Sequence, residues 1–171
     1  MPLKEKNGHF IEGKFEKDGT SDKVLASALN SFFGSIMEAN TETFEGKNMR
    51  LSMQWRINDI IGSGSSTLLE AIPNLQKLIA DEKISKLDSR NIVGSIGLSR
   101  RLNIQICKLI SCIASQSNPL VLFLDDLQWA DDTTIDVIKM SMTDPNIKNF
   151  VFLGCYREYS NRFIFSPKAL H

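Results

Sequence analysis

Two adjacent carboxylates, Asp125 and Asp126, follow the apolar run "PLVLFL" in the stretch "PLVLFLDDLQWADD". Acids at the carboxyl end of a buried strand suit a particular chemistry. In open parallel sheets, ligands sit just beyond the carboxyl ends of the strands. A carboxylate placed there can hold a hydrated Mg²⁺ that bridges nucleotide phosphates. A second acid beside it can orient and polarise an attacking water. The bland alternative is an Asp pair that caps the following turn and helix. Arg157 closes a second apolar run, "FVFLGCYR", and is the next candidate. If the two runs are neighbouring parallel strands, Arg157 projects toward the same edge as Asp125. It would then meet a phosphate or pair with an acid; otherwise it is a surface arginine paired with Glu158 or water.

The elements around these residues read as an alternation of strands and helices. "GHFIEGKF" is a short strand-like run with Phe10, Ile11 and Phe15 about Gly13. "SDKVLASALNSFFGSIMEA" carries Val24, Leu25, Ala28, Leu29, Phe32, Phe33, Ile36 and Met37 at helical spacing, with Ser21 or Asp22 as candidate cap. A helix is predicted from about Lys47 to Ile61. Pro73 splits "SSTLLEAIPNLQKLIADEK" into a short helix and a second turn. A long helix spans roughly Ser95–Ser115, with Ile96, Leu102, Ile106, Leu109, Ile110 and Ile113 on one side. Asn118-Pro119 ends it and leads into the strand Leu120–Leu124, whose every position is apolar. That pattern predicts a central parallel strand covered on both faces. A helix over "DDTTIDVIKMSMTDP" stops at Asp144-Pro145, and Phe150–Cys155 forms the last strand. Strand, helices, strand, helix, strand predicts an α/β chain with a parallel sheet and helical crossovers, residues 9–13, 120–124 and 150–155 lying side by side with 120–124 central.

Composition narrows the class. The chain has 171 residues, is 42% hydrophobic and 23% charged, and carries no net formal charge. This is the balance of one ordinary globular domain. Zero net charge and the lack of a basic stripe argue against a nucleic-acid surface. No apolar run approaches about 18 residues, so no membrane span is expected. "MPLKEKNGHF" lacks the apolar core of a signal peptide. Cys107, Cys112 and Cys155 are an odd set with no CxxC spacing, read as reduced thiols in a cytoplasmic setting. His9 and His171 have no partners at metal-ligand spacing. Trp129 is expected to pack under the strand–helix turn, and Arg100-Arg101 to lie on a solvated helix face.

Taken together, "NPLVLFLDDLQWADDTTIDVIKMSMTDPNIKNFVFLGCYRE" resembles the origin-recognition-like ATPase module of the AAA/STAND class. It is similar to the form found within very large multi-domain serine/threonine and sensor histidine kinases. "GHFIEGKFE", "VLASALNSFFGSIM" and "AIPNLQKLIA" look like earlier segments of the same module. The resemblance covers residues 7–159 and leaves 160–171 as an irregular tail. It implies a P-loop NTPase fold with strand order 5-1-4-3-2, of which this chain carries strands 2, 3 and 4. It further implies Asp125 as the Walker B acid at the Mg²⁺ site, Asp126 at the position of the water-activating acid, and Arg157 at the sensor position. ATP and Mg²⁺ are the implied ligands, and kinase or sensor domains of a larger multi-domain protein the implied partners.

One part of that pattern is missing. Such modules bind phosphate through a GxxxxGK[ST] loop after their first strand. The nearest imitation, "GSGSST" at Gly62–Thr67, has no Lys and follows no strand, so it reads as a connection. Lys14 and Lys47 also lack the glycine pattern. The chain as a whole, 1–171, therefore reads as a partial, truncated module, with the phosphate loop expected upstream of Met1. Weak or absent ATP binding is expected for this chain alone. The competing reading is a non-enzymatic interaction or scaffold domain that has lost nucleotide binding.

Overall fold

A computed structural model describes residues 8–17, 23–38, 44–60, 66–79, 95–115 and 118–157. Ser21, Asp22, residues 62–65 of the glycine-serine stretch, Glu158, the tail and His171 lie outside the described residues. Three strands form one sheet: β1 (His9–Lys14), β2 (Leu120–Asp125) and β3 (Phe150–Gly154). Their order is β1-β2-β3, and both pairings are parallel. The chain is thus α/β with β2 in the middle, as the apolar runs predict.

Six α-helices complete the described structure. Between β1 and β2 run α1 (Val24–Glu38), α2 (Phe44–Ile60), α3 (Ser66–Ala71), α4 (Pro73–Ile79) and α5 (Ser95–Ile113). Between β2 and β3 lies α6 (Asp132–Thr143). Pro73 separates α3 from α4 because its ring cannot continue the preceding helical hydrogen-bond pattern. α2 starts at Phe44 rather than near Lys47; the first turn's one apolar residue, Phe44, is exposed, and the buried Met53 and Ile57 come later in the helix, so no apolar periodicity marks its start.

The two faces of the sheet are not equivalent. Leu120, Leu122 and Leu124 are fully buried, and so is Ile11 beside them. This face packs on the helices: Leu29 and Phe33 of α1, Leu75 and Leu78 of α4, and Leu109, Ile110 and Ile113 of α5 share its core. Gly13 is needed at the contact with α1, because a Cβ there would stand 2.9 Å from Leu124 Cδ2 and 3.1 Å from Val24 Cγ1. The other face carries Phe10, Val121, Phe123, Val151 and Leu153. Val121 and Phe123 are half-buried, while Phe10, Val151 and Leu153 are exposed at 57%, 48% and 49%. Among the described residues this face is uncovered, contrary to the two-sided cover that the all-apolar β2 predicts. The physical reason is direction. Both crossovers step the same way along the sheet, and right-handed crossovers that step the same way fall on the same face.

Candidate functional site

Parallel register brings three strand ends together. Lys14, the last residue of β1, pairs with Asp125, the last of β2. The backbone fixes this end from both sides. Phe15 donates its N–H to the Asp125 carbonyl at 3.1 Å, Cys155 donates to the Leu124 carbonyl at 2.9 Å, and Leu127 donates to the Cys155 carbonyl at 2.9 Å. Immediately after β2 the chain turns sharply. Asp126 adopts a left-handed backbone (φ 56, ψ 42) before a single 3-10 turn at Leu127–Trp129. Asp is one of the few non-glycine residues that enters this region readily. The helix that follows is capped by Asp131, whose side chain accepts the Thr134 N–H at 3.2 Å. Asp126 makes no side-chain cap bond, so capping does not account for it.

The structure places Asp125, Asp126 and Arg157 at one edge of the sheet. Asp126 is the hub. Its Oδ1 accepts a hydrogen bond from Gln128 Nε2 at 2.8 Å and lies 3.4 Å from Arg157 Nε. Its Oδ2 lies 3.7 Å from Lys14 Nζ. The Gln128 hydrogen bond, with the Arg157 and Lys14 charges behind it, holds the Asp126 carboxyl below the usual carboxylate range against some cost of burial. Such a group stays ionised near neutral pH and is a weak proton acceptor. Asp125 is more open, with its side chain 36% exposed against 13% for Asp126. Its Oδ1 accepts the Asp126 N–H at 2.9 Å, and its Oδ2 lies 3.5 Å from Lys14 Nζ.

Two participants carry no sequence signal of their own. Gln128 is buried, yet its amide spans two strand ends: Nε2 donates to Asp126, and Oε1 accepts the Arg157 N–H at 3.2 Å. Its one hint in the sequence is a polar residue between Leu127 and Trp129 in "DLQWA". Lys14 lacks the glycine context of a phosphate-loop lysine, and its role follows only from register with Asp125. Trp129 departs from its expected packed position: it is 40% exposed, with Lys17 Nζ 5.8 Å above its ring. Ser66 and Thr67 of "GSGSST" belong to the start of α3, and Lys47 and Arg100-Arg101 are exposed on α2 and α5. Cys107 and Cys112 are buried cysteines outside any disulfide, and Cys155 is an exposed one.

Mg²⁺ typically takes one or two carboxylates and completes its shell with phosphate and water. Asp125 Oδ2 and Asp126 Oδ2 fit that sparse donor set. One ammonium already stands within 3.5 and 3.7 Å of both, so a single cation can be shared between them. No cluster of three or more His, Cys, Asp or Glu side chains suited to a metal occurs among the described residues. A cation here therefore needs ligands beyond the carboxylates.

No protein-family model matches the chain, and no solved structure does. Among curated proteins, a hybrid signal transduction histidine kinase G of Dictyostelium discoideum is 29% identical over 135 residues. The aligned stretch is 78% of this chain but 4% of that relative, so the chain spans a small fraction of the relative's length. None of the helices described is long and apolar enough to cross a membrane.

Proposed function

We propose that this chain is part of an ATP-binding module in a larger signalling protein, of the AAA/STAND P-loop NTPase type. It supplies the magnesium and sensor strands, with Asp125 as the metal acid, Asp126 as the acid beside the reacting water and Arg157 as the sensor. The carrying observation is the convergence of Lys14, Asp125, Asp126 and Arg157 where three parallel strands end. Asp126 is a weak base with a fixed orientation, a state better suited to positioning water and stabilising charge than to removing a proton outright. Bound Mg²⁺ would offset the repulsion between phosphate and carboxylate oxygens.

The phosphate-binding loop is supplied from outside the described residues. Among the described residues β3 ends the sheet and one face of the sheet is uncovered, and both support this with one explanation. A strand added beside β3, whose connection then runs back across the sheet to β1, travels opposite to β1-β2-β3. The right-handed rule puts that connection on the uncovered face. The likeness to a signal transduction histidine kinase supports the signalling context. The alternative, a scaffold that has lost nucleotide binding, is favoured by one observation: Lys14 and Arg157 already balance the two acids internally.

Calorimetric titration of the 171-residue chain with ATP·Mg²⁺ tests the proposal. The phosphate loop's backbone donors and lysine contribute most of the grip in such sites. Charge-assisted hydrogen bonds contribute about 1.5–3 kcal/mol each, and each ~1.4 kcal/mol is tenfold in affinity. The expected dissociation constant is millimolar or weaker, and weaker still with Asp125→Ala. A micromolar constant would overturn the division of the site between two segments. Weak binding indifferent to Asp125→Ala would favour the scaffold.

A further inference from the structure

Lys14 stands where a cation shared by Asp125 and Asp126 would stand. Its Nζ is 3.5 Å from Asp125 Oδ2 and 3.7 Å from Asp126 Oδ2, yet the side chain is 64% exposed. Arg157 is held differently. It approaches the other oxygen of Asp126, Oδ1, while its backbone N–H is tied to Gln128. Lys14 spans both acids. It also lines an open cleft of about 400 Å³, bounded by Glu12, Glu16, Lys23 and Ser27 on the outer side of β1 and the start of α1. The ammonium therefore has room to leave the acids without unpacking any buried group.

Resting on the magnesium-site reading above, we propose that Lys14 is a tethered counter-ion exchanged for the metal when metal and phosphate arrive together. Free divalent cation must displace the ammonium and gains only two carboxylates. Cation bound to polyphosphate displaces the same ammonium and brings it an anion, which the flexible four-carbon stem of Lys14 can follow. Lys14 thus weakens binding of bare metal and strengthens binding of the metal–phosphate pair. It makes the site selective for the two arriving together.

The opposite signs give a test that needs no turnover. Binding of Mn²⁺ alone, and of Mn²⁺ with tripolyphosphate, is measured from the free-ion electron paramagnetic resonance signal. The proteins are the 171-residue chain and its Lys14→Met, Lys14→Arg and Asp125→Asn variants. Lys14→Met is expected to tighten Mn²⁺ alone about threefold, the scale of one partly exposed ion pair. The same variant should shrink the gain in Mn²⁺ affinity that tripolyphosphate brings, and Lys14→Arg should restore both. If Lys14→Met leaves Mn²⁺ binding unchanged or weaker while Asp125→Asn abolishes it, the counter-ion role is overturned and the magnesium reading survives. If Asp125→Asn leaves Mn²⁺ binding unchanged both without and with tripolyphosphate, the magnesium reading itself falls, and this role with it.

Discussion

The two faces of one sheet carry similar residues and live in different surroundings. Leu122 on β2 is sealed against α-helices, whereas its neighbour Phe123 points to the other side and is only half-buried. β2 is written for burial on both faces, yet among the described residues only one is covered. Residue type alone does not decide cover. Strand order and crossover handedness decide where helices can go, and apolar residues on the remaining face mark where another segment is required.

Substitutions at neighbouring positions of β2 separate the two faces. Leu122→Ala removes a fully buried side chain from a closely packed face. It is expected to cost about 2–5 kcal/mol by denaturant unfolding. Phe123→Ala loses its half-buried area and the stack on Phe10, whose ring centroid lies 6.4 Å away. Its expected cost is nearer ~1 kcal/mol. Equal costs would mean that the open face is covered in solution.

Acidification should act through the covered face. His9 packs edge-to-face on Phe32 at 5.1 Å, and its Nε2 finds no hydrogen-bond partner among the described residues. Burial, followed by the Arg56 charge, pushes its pKa below the ordinary value. The unfolded chain then binds a proton that the folded chain resists. Stability is full above about pH 6.5, the unfolded histidine value, and declines as pH falls toward the lower folded value. Unfolding midpoints at pH 7.5 and pH 5.5 should differ more for the native chain than for His9→Phe. An equal pH response in both proteins would remove His9 as the cause.

The smallest effect belongs to the open face. Leu153→Lys at a half-exposed position on the edge strand β3 should change stability by less than about 0.5 kcal/mol. It should also reduce self-association at high concentration, because a lysine on an edge strand discourages edge pairing. A large loss of stability would place Leu153 in a packed contact.

How much of this was legible in the sequence depends on how local the signal is. Leu120–Leu124 and Phe150–Gly154 announce themselves by apolar runs, and Pro73 announces its break. The site acids are legible because they terminate such a run. Lys14 is not: its contact with Asp125 arises from strand register between residues far apart in sequence. Gln128 is equally silent, since its function depends on the left-handed backbone at Asp126 and on Arg157 arriving from β3. The second face is legible only in part: β2 reports what it can bury, while the direction of the crossovers decides which segment covers it, and none of the described residues does.

In the proposed module, three strand ends build one cation site. Backbone amide signals of the 171-residue chain, followed by nuclear magnetic resonance during Mn²⁺ addition, test it most directly. The paramagnetic ion broadens only nearby nuclei. Simultaneous early loss of signals is expected at Lys14–Glu16, Asp125–Gln128 and Tyr156–Arg157, with no such loss for Asp125→Asn. Broadening at one of these segments alone, or first at unrelated surface acids such as Glu38 and Asp144, would contradict it.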